Sequence, residues 1–421
     1  MEAKRTSGTP RRPRARTLEK NSRSGKSNIP ASRTAMSKQP IPFPGGVAAL
    51  LTREDLERSP AWQSAFHNQC KDHRFYEIIE QTLGPDFEHH YIVLKDERGD
   101  VRAVQPIFLV RQNLVEAMPG RVRSAVNLVR RRFPRFLTMR VLMVGCAAGE
   151  GHLGNCAPED EEWVAEALHA SLKTYARRLG ASLVVLKDFP ARYRQSLRSF
   201  SSNGYARVPS MPMTQLSLGY TDFDEYLRTL GRSTRKDLRR KFRRTADQAP
   251  IELQVVTDIT SQVDEVYPLY LQVHERSKMK FERLTKDYFC DLGKRMPERT
   301  RFFVWRQLGK VVAFSLCMVY GNTIYDEYLG LDYSVALDLH LYFYTLRDII
   351  SWALEHGLDC YCSSPLNYQP KLHLGCDLLP LDLYVMHTGA LVNPIFRHAV
   401  KLLGPTRHDP VLLKFPNAHQ L

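Results

Sequence analysis

Hydrophobic and polar positions follow two rhythms along the chain, and their order says most between residues 302 and 380. Residues 302–306 (Phe-Phe-Val-Trp-Arg) read as a strand. A Gly309-Lys310 turn leads to a second apolar run, 311–320, and a Gly321-Asn322 turn to a third, 323–331. Apolar positions at three- and four-residue steps then predict a helix over about 339–355, with Asp338 suited to its N-cap. A short strand at 358–362 follows, and then a segment from Asn367 to Gly375 that carries Tyr368 and Lys371. Antiparallel strands that feed a helix and a parallel strand open a cleft.

The first half has a similar grammar. A helical pattern over 56–83 precedes a hairpin, 89–95 and 101–110, around Glu97-Arg98-Gly99-Asp100. A basic segment, 121–135, interrupts. Strand 137–144, helix 159–179, strand 182–187 and a short helix at 190–201 come next. Gly309-Lys310-Val311-Val312-Ala313 mirrors Gly99-Asp100-Val101-Arg102-Ala103, and each half repeats helix, glycine, strand and proline in order. Ordered agreement of several markers points to a tandem duplication. Between the halves, 205–218 reads as short strand pieces limited by Pro209 and Pro212. A helix opening at Asp222-Phe223-Asp224-Glu225 and running to about Thr245 follows.

Composition adds boundaries. The 421 residues carry a net charge of +15, and residues 1–40 hold 11 Lys/Arg against 2 Asp/Glu. That Ser-, Arg- and Pro-rich stretch lacks large apolar residues and is expected to be a disordered basic tail, with some likeness to an organelle transit peptide. No apolar run is long enough to cross a membrane and no secretory signal is read, so a cytoplasmic protein with reduced thiols is expected. Of the eight cysteines none forms a CxxC pair; Cys360-x-Cys362 is taken to point to opposite faces of a strand, and no metal is expected. Four segments result: a tail (1–45), a degenerate first domain (46–213), a second domain (214–400) and a C-terminal extension (401–421).

Candidate chemistry gathers in the second half. Transfer to an amine needs a base, and a carboxylate inside a strand needs a partner or a task. Glu327 and Asp326 are the candidates, with the Tyr328 phenol as a donor to the leaving group; strict alternation puts Asp326 and Tyr328 on one face and Tyr325 and Glu327 on the other. Free backbone N–H groups at Leu339, His340 and Leu341 would hold a phosphate or an oxyanion. The 222–245 helix carries arginines at 232, 235, 239 and 243 along one side. Arg235 and Arg239 are candidates for the donor's phosphates; a tRNA backbone or an anionic lipid surface fits the same charge, as does plain solvation. Lys371, beside Tyr368, could hold a substrate carboxylate or phosphate. The 121–135 segment could lie on anionic lipid or pack as a core helix. There is no GxGxxG fingerprint, P-loop or GxSxG elbow. Gly145-Cys146-Ala147-Ala148-Gly149-Glu150-Gly151 reads as a flexible loop at the border of the cleft.

The order of these pieces resembles the GNAT-like domain of Fem-type and cellulose-biosynthesis-associated N-acyltransferases. The resemblance covers about 214–390. It runs from Phe223-Asp224-Glu225-Tyr226-Leu227 through the Arg-rich 233–240 stretch, Thr285-Lys286-Asp287-Tyr288-Phe289 and the Gly309-Lys310 hairpin. Leu339-His340-Leu341-Tyr342 and Lys371-Leu372-His373-Leu374-Gly375 complete it. It implies tandem GNAT-like α/β (α+β) domains, each a mixed, mostly antiparallel sheet flanked by helices. It also implies transfer of an acyl group from acyl-CoA (acetyl-CoA) to an amine of a small molecule or cell-envelope precursor. Aminoacyl-tRNA is the alternative donor, and a non-catalytic phosphate- or nucleic-acid-binding protein the alternative class. The Gln/Arg-x-x-Gly-x-Gly/Ala loop usual before the long helix is replaced by Ala336-Leu337-Asp338-Leu339-His340.

Overall fold

In the computed structural model, residues 39–57, 59–113, 138–277, 279–402 and 404–421 are described, with 128 and 130–132. The basic tail up to residue 38 and most of the 121–135 segment lie outside them. Strands β1 (Ile41–Phe43), β2 (Gly46–Leu51), β3 (Glu88–Asp96), β4 (Val101–Asn113), β5 (Thr138–Val144), β6 (Leu183–Pro190) and β7 (Ala206–Pro209) come from the first half. β8 (Met213–Ser217), β9 (Ile251–Val256), β10 (Thr300–Gln307), β11 (Lys310–Tyr320), β12 (Thr323–Leu331), β13 (Cys360–Ser363), β14 (Asp377–Leu379) and β15 (Leu381–His387) follow. They form two mixed sheets, ordered β1-β2-β3-β4-β5-β6-β15-β7 and β14-β8-β13-β12-β11-β10-β9.

The two sheets share one plan. In the first, antiparallel β3, β4 and β5 are followed by helix α2 (Glu161–Arg178; the earlier α1 is His73–Thr82), and β6 returns parallel to β5. In the second, β10, β11 and β12 are followed by a long helix, Leu341–Glu355, and β13 returns parallel to β12. Such a parallel return requires a crossover, and the helix supplies it. The plan ends in an exchange. β8 follows β7 in sequence yet inserts between β13 and β14 of the second sheet. β15 follows β14 yet inserts between β6 and β7 of the first. Each half thus lends the other a strand, and β15 pairs in the first sheet although its sequence lies within 214–400.

Further helices are α3 (Phe223–Thr229), α4 (Arg232–Ala246), α5 (Val263–Arg276), α6 (Lys286–Arg295), α7 (Leu341–Glu355), α8 (Tyr368–His373) and α9 (Asn393–Leu402). Three large apolar cores hold the layers, beside two small ones. One lies on the outer face of the first sheet under α2 and includes Leu168, Tyr175 and Val184. Another lies on the second sheet under α7, with Trp305, Ile349 and Tyr361. The largest is common to both halves: Phe75 and Ile79 of α1 meet Tyr288 and Phe289 of α6 and Phe314 of β11. Burying this surface at roughly 25 cal/mol per Å² makes the two halves one hydrophobic unit.

Several expected elements are subdivided. The 56–83 helix is three pieces, Arg53–Leu56, Pro60–Ser64 and α1, because Asp72 caps a new helix by accepting from the Arg74 N–H. The 222–245 helix breaks between α3 and α4, where Gly231 is the N-cap. Cys360 and Cys362 lie on one face of β13, with sulfurs 3.8 Å apart, since residues two apart in a strand point the same way.

Candidate functional site

The candidate site lies where the two halves meet, and a β-bulge builds it. Across β11 and β12, Leu316 faces Tyr328 but Cys317 faces Asp326, so Glu327 is an extra residue on β12. A bulge re-aims side chains and switches the parity of the strand. Ile324 belongs to the α7-side core, and so do Leu329 and Leu331 beyond the bulge; Tyr325 and Tyr328 both face the shared core. The expected pairing of Tyr328 with Asp326 on one face is therefore corrected. Asp326 turns toward β13 and accepts from the Ser315 hydroxyl (2.5 Å) and the Tyr361 phenol (2.8 Å). Glu327 turns toward the first half.

There Glu327 meets Lys71. The Lys71 Nζ is 2.8 Å from Glu327 Oε1 and 2.6 Å from Glu150 Oε2; Lys71 and Glu327 are buried, and the Glu150 side chain is 10% exposed. Glu327 Oε1 makes only this ion-pair contact, without hydrogen-bond alignment among the described residues. The chain of polar groups continues from Glu150 Oε1 to His152 Nε2 (3.5 Å), and from His152 Nδ1 to the Tyr193 hydroxyl (3.3 Å). Tyr193 forms part of the wall of a cavity of about 380 Å³ on the first half, with Phe66, Asn155 and Arg192.

The lysine is held by the opposite half. Arg299 donates to the carbonyls of Gln69 (2.9 Å) and Cys70 (2.8 Å) and pairs with Asp72 at 3.2 Å. The loop at Glu150 comes so close that a Cβ on Gly149 would lie 2.6 Å from the Lys71 Nζ, and Gly149 has φ +124°. Only glycine fits such a backbone. The glycine-rich loop thus carries the carboxylate that pairs with Lys71, and Cys146, Ala147 and Ala148 within it are packed in the core.

Electrostatics divide the two carboxylates. Burial pushes the Glu327 carboxyl above its ordinary range; Lys71 opposes this and Glu150 adds to it. Burial acts on Glu150 too, but Lys71 and His152 outweigh it and hold Glu150 well below the usual carboxylate range. Burial disfavours the Lys71 cation, yet the two glutamates keep it firmly charged. A single ammonium between two carboxylates thus leaves one fixed as the anion and the other poised to take a proton. Burial also raises the Tyr328 phenol, which donates to Glu282 at 2.8 Å. Tyr328 packs edge-on against Tyr288, and Tyr288 against Phe75 of the first half.

The other candidate residues are placed elsewhere. The Leu339, His340 and Leu341 N–H groups donate to Val335, Leu337 and Ala336, so they are not free for a phosphate or an oxyanion. The helix begins two residues later than expected, with His340 rather than Asp338 as its N-cap, in the left-handed region at φ 47°. Burial and the nearby Lys241 lower the His340 imidazole. Arg235 is turned onto the end of α3, donating to the Arg228 (3.0 Å) and Leu230 (3.3 Å) carbonyls. Arg239 is exposed, with Arg232, Lys236 and Arg244, and none of these four has an ion-pair partner among the described residues. Tyr368 is buried against Phe415 and donates to the Pro212 carbonyl at 2.9 Å. Lys371 lies in α8 rather than after a strand. It is buried, donates to the carbonyls of Ser364 and Leu366, and burial lowers its amine to about 8. Sequence reasoning missed Lys71, Glu150 and His152; the only local signal was the glycine run before Glu150. Among the described residues no group of three or more His, Cys, Asp or Glu side chains could hold a metal ion, and no helix is long and apolar enough to cross a membrane.

A solved structure shares this architecture. The structure of FemX overlays with a TM-score of 0.51 at 11% identity, covering 83% of this chain and 99% of that one. A tandem GNAT protein from the clavulanic acid biosynthesis pathway gives 0.44 at 11% identity (81% and 99% covered). The C-terminal domain of a putative lysylphosphatidylglycerol synthetase from Agrobacterium fabrum gives 0.45 at 13% (78% and 94%). No curated protein matches the sequence. The sequence model of the FemAB-like family, described as peptidoglycan biosynthesis/recognition, matches residues 125–365. Those residues are more than half of the chain and include Glu150, the exchanged strand β8 and the bulge at Glu327, so this two-sheet protein belongs to the FemAB-like family.

Proposed function

We propose that the protein transfers an acyl or aminoacyl group to the amine of a cell-envelope precursor, with Glu327 as the general base. One observation carries the reading: a buried carboxylate on a bulge at the junction of the halves, its pKa raised by burial, whose Oε1 has the Lys71 ammonium at 2.8 Å as its partner. A base of this kind takes the proton of an attacking ammonium or amine as it reaches the donor carbonyl. Lys71 holds Glu327 in place and Glu150 keeps the lysine charged. The Tyr328 phenol can return a proton to the leaving group. Asp326, saturated by two hydroxyls on the other face, supports the strand rather than the reaction. The acceptor enters from the cavity that Tyr193 lines, whose wall is joined to Glu327 by the His152–Glu150–Lys71 chain.

Acyl-CoA is the donor implied by the GNAT-like fold. The spent N–H groups at 339–341 favour the second reading, an aminoacyl-tRNA donor, and so do the exposed cations of α4. Label transfer from acyl-CoA and from aminoacyl-tRNA to amines of envelope precursors, run side by side, separates the two. With Glu327 as base, Glu327→Gln lowers the rate by a factor of about 10²–10⁴ with the fold intact. The wild-type rate rises with pH, with a midpoint above the ordinary carboxylate range, because the base must first lose its proton. Full activity in the variant, or an unchanged pH profile, would remove Glu327 from the mechanism.

A further inference from the structure

Helix α9 is apolar on two opposite sides. Its inner side is occupied: Phe396 packs into the shared core and against the His387 ring (6.0 Å). Asn393 fixes the start of the helix, accepting from the His387 N–H at 2.9 Å and donating to the Gly204 carbonyl at 2.8 Å. The outer side is bare. Leu391 is 91% exposed, Ile395 75% and Leu402 66%, and Val392 stands beside them. The helical spacing of Ile395 and Leu402, with Leu391 just before the first turn, sets these side chains along one ridge. No residue of the helix is fully buried. Isolated exposed leucines are ordinary; several large aliphatic side chains on one short helix and the turn before it are not.

The charge around the ridge restricts what can cover it. From Leu383 to His408 there is no Asp or Glu, while Arg397, Lys401 and Arg407 are cations. A second copy packed across a two-fold axis would set these cations against their own equivalents. The segment 1–40, with 11 Lys/Arg against 2 Asp/Glu, and the arginine-rich 121–135 segment are also poor covers, because both are strongly basic. The occupant must be apolar in depth and anionic at its surface. An anionic lipid bilayer has both properties, and a helix with an aliphatic ridge flanked by Lys and Arg lies in the plane of its headgroups.

We propose that α9 is a membrane-surface helix, which seats the protein on anionic lipid through Leu391, Ile395 and Leu402 with the exposed Lys401 at the phosphates. The test uses the full chain and sedimentation with vesicles of phosphatidylcholine, alone and mixed with phosphatidylglycerol. Wild type pellets with the mixed vesicles, and a fraction stays bound at high salt, because an aliphatic ridge is not screened as a basic tail is. Ile395→Glu with Leu402→Glu keeps the wild-type melting temperature, since both side chains are exposed, and lowers that affinity about tenfold or more. Ile395→Trp adds an indole to the ridge, and its emission shifts to the blue on mixed vesicles only. Equal binding by the double-glutamate variant, or an unshifted emission from the Ile395→Trp protein, overturns the proposal. So does a wild-type dimer in solution that Ile395→Glu converts to a monomer without any vesicle binding, an outcome that would assign the ridge to a second copy.

Discussion

Lys71 is the residue on which the candidate site depends. It is the one cation set between Glu150 and Glu327, and each glutamate comes from a different half of the chain. Replacing it with methionine leaves the buried Glu327 and the largely buried Glu150 without their shared cation. Breaking a buried pair by removing one partner costs about 3–5 kcal/mol. The pH dependence follows from the direction of each shift. Glu150, held low by Lys71, contributes stability that is present above its ordinary pKa and lost as pH falls through its folded value. Lys71, held high, contributes stability that is complete below the ordinary lysine value and lost as pH rises through its folded one. Glu327, held high by burial, costs stability as pH rises from its ordinary pKa to its folded one. Lys71→Met should therefore be most destabilising at neutral pH. The deficit should shrink on acidification, as the stranded carboxylates take protons; urea denaturation at several pH values measures it. A deficit independent of pH would show that packing, not charge, is what Lys71 provides. None of this was legible around Lys71, where Cys70 and Asp72 give no cue. Glu327 stood out for a reason that holds at the level of one residue: a carboxylate in an apolar strand requires an explanation.

At the scale of elements, alternation located β10, β11 and β12 within a few residues, and the helix after them within two. It failed at the bulge because one inserted residue leaves the hydrophobic pattern on either side intact and changes only the parity between them. The oxyanion assignment at Leu339–Leu341 failed for a related reason: a tight turn consumed the N–H groups that an ideal helix start would leave free. The bulged strand is also fixed from the α5 side. A Cβ at Gly330 would stand 2.2 Å from the Phe314 ring and 2.7 Å from the Tyr270 backbone nitrogen. Gly330→Ala must push α5 away from β12, and overpacking of this kind costs about 1–3 kcal/mol. The loss should appear as a lower urea midpoint with an unchanged slope. Faster amide exchange along β12 should accompany it, and transferase activity should fall because Glu327 is three residues away. A Gly330→Ala protein of wild-type stability would mean that α5 is free to shift.

For the molecule as a whole, the reciprocal loan of β8 and β15 matters more than the duplication that sequence markers suggested. A duplicated sequence invites the expectation of two separable domains, since nothing in a strand's composition tells which of two similar sheets it joins. Among the described residues β7 pairs only with β15, and β14 only with β8. Asp382 on β15 is buried and paired with both Arg194 and Arg207 of the first half. The shared core adds Phe75 packed on Tyr288 at 6.3 Å between ring centres. Cutting the chain after Pro380 therefore removes an interior strand from the first sheet and leaves β7 unpaired, with Arg194 and Arg207 deprived of Asp382. That truncated chain should lose the cooperative near-ultraviolet transition of the intact protein. The full-length protein should unfold in one step, with coincident melting of probes placed in either half. The candidate site spans this linkage, because Lys71 comes from the first half and Glu327 from β12 of the second sheet. A chain ending at Pro380 that kept the intact melting temperature would require the first sheet to close without its seventh member, β15, between β6 and β7, and the pairing of β7 with β15 alone argues that it cannot.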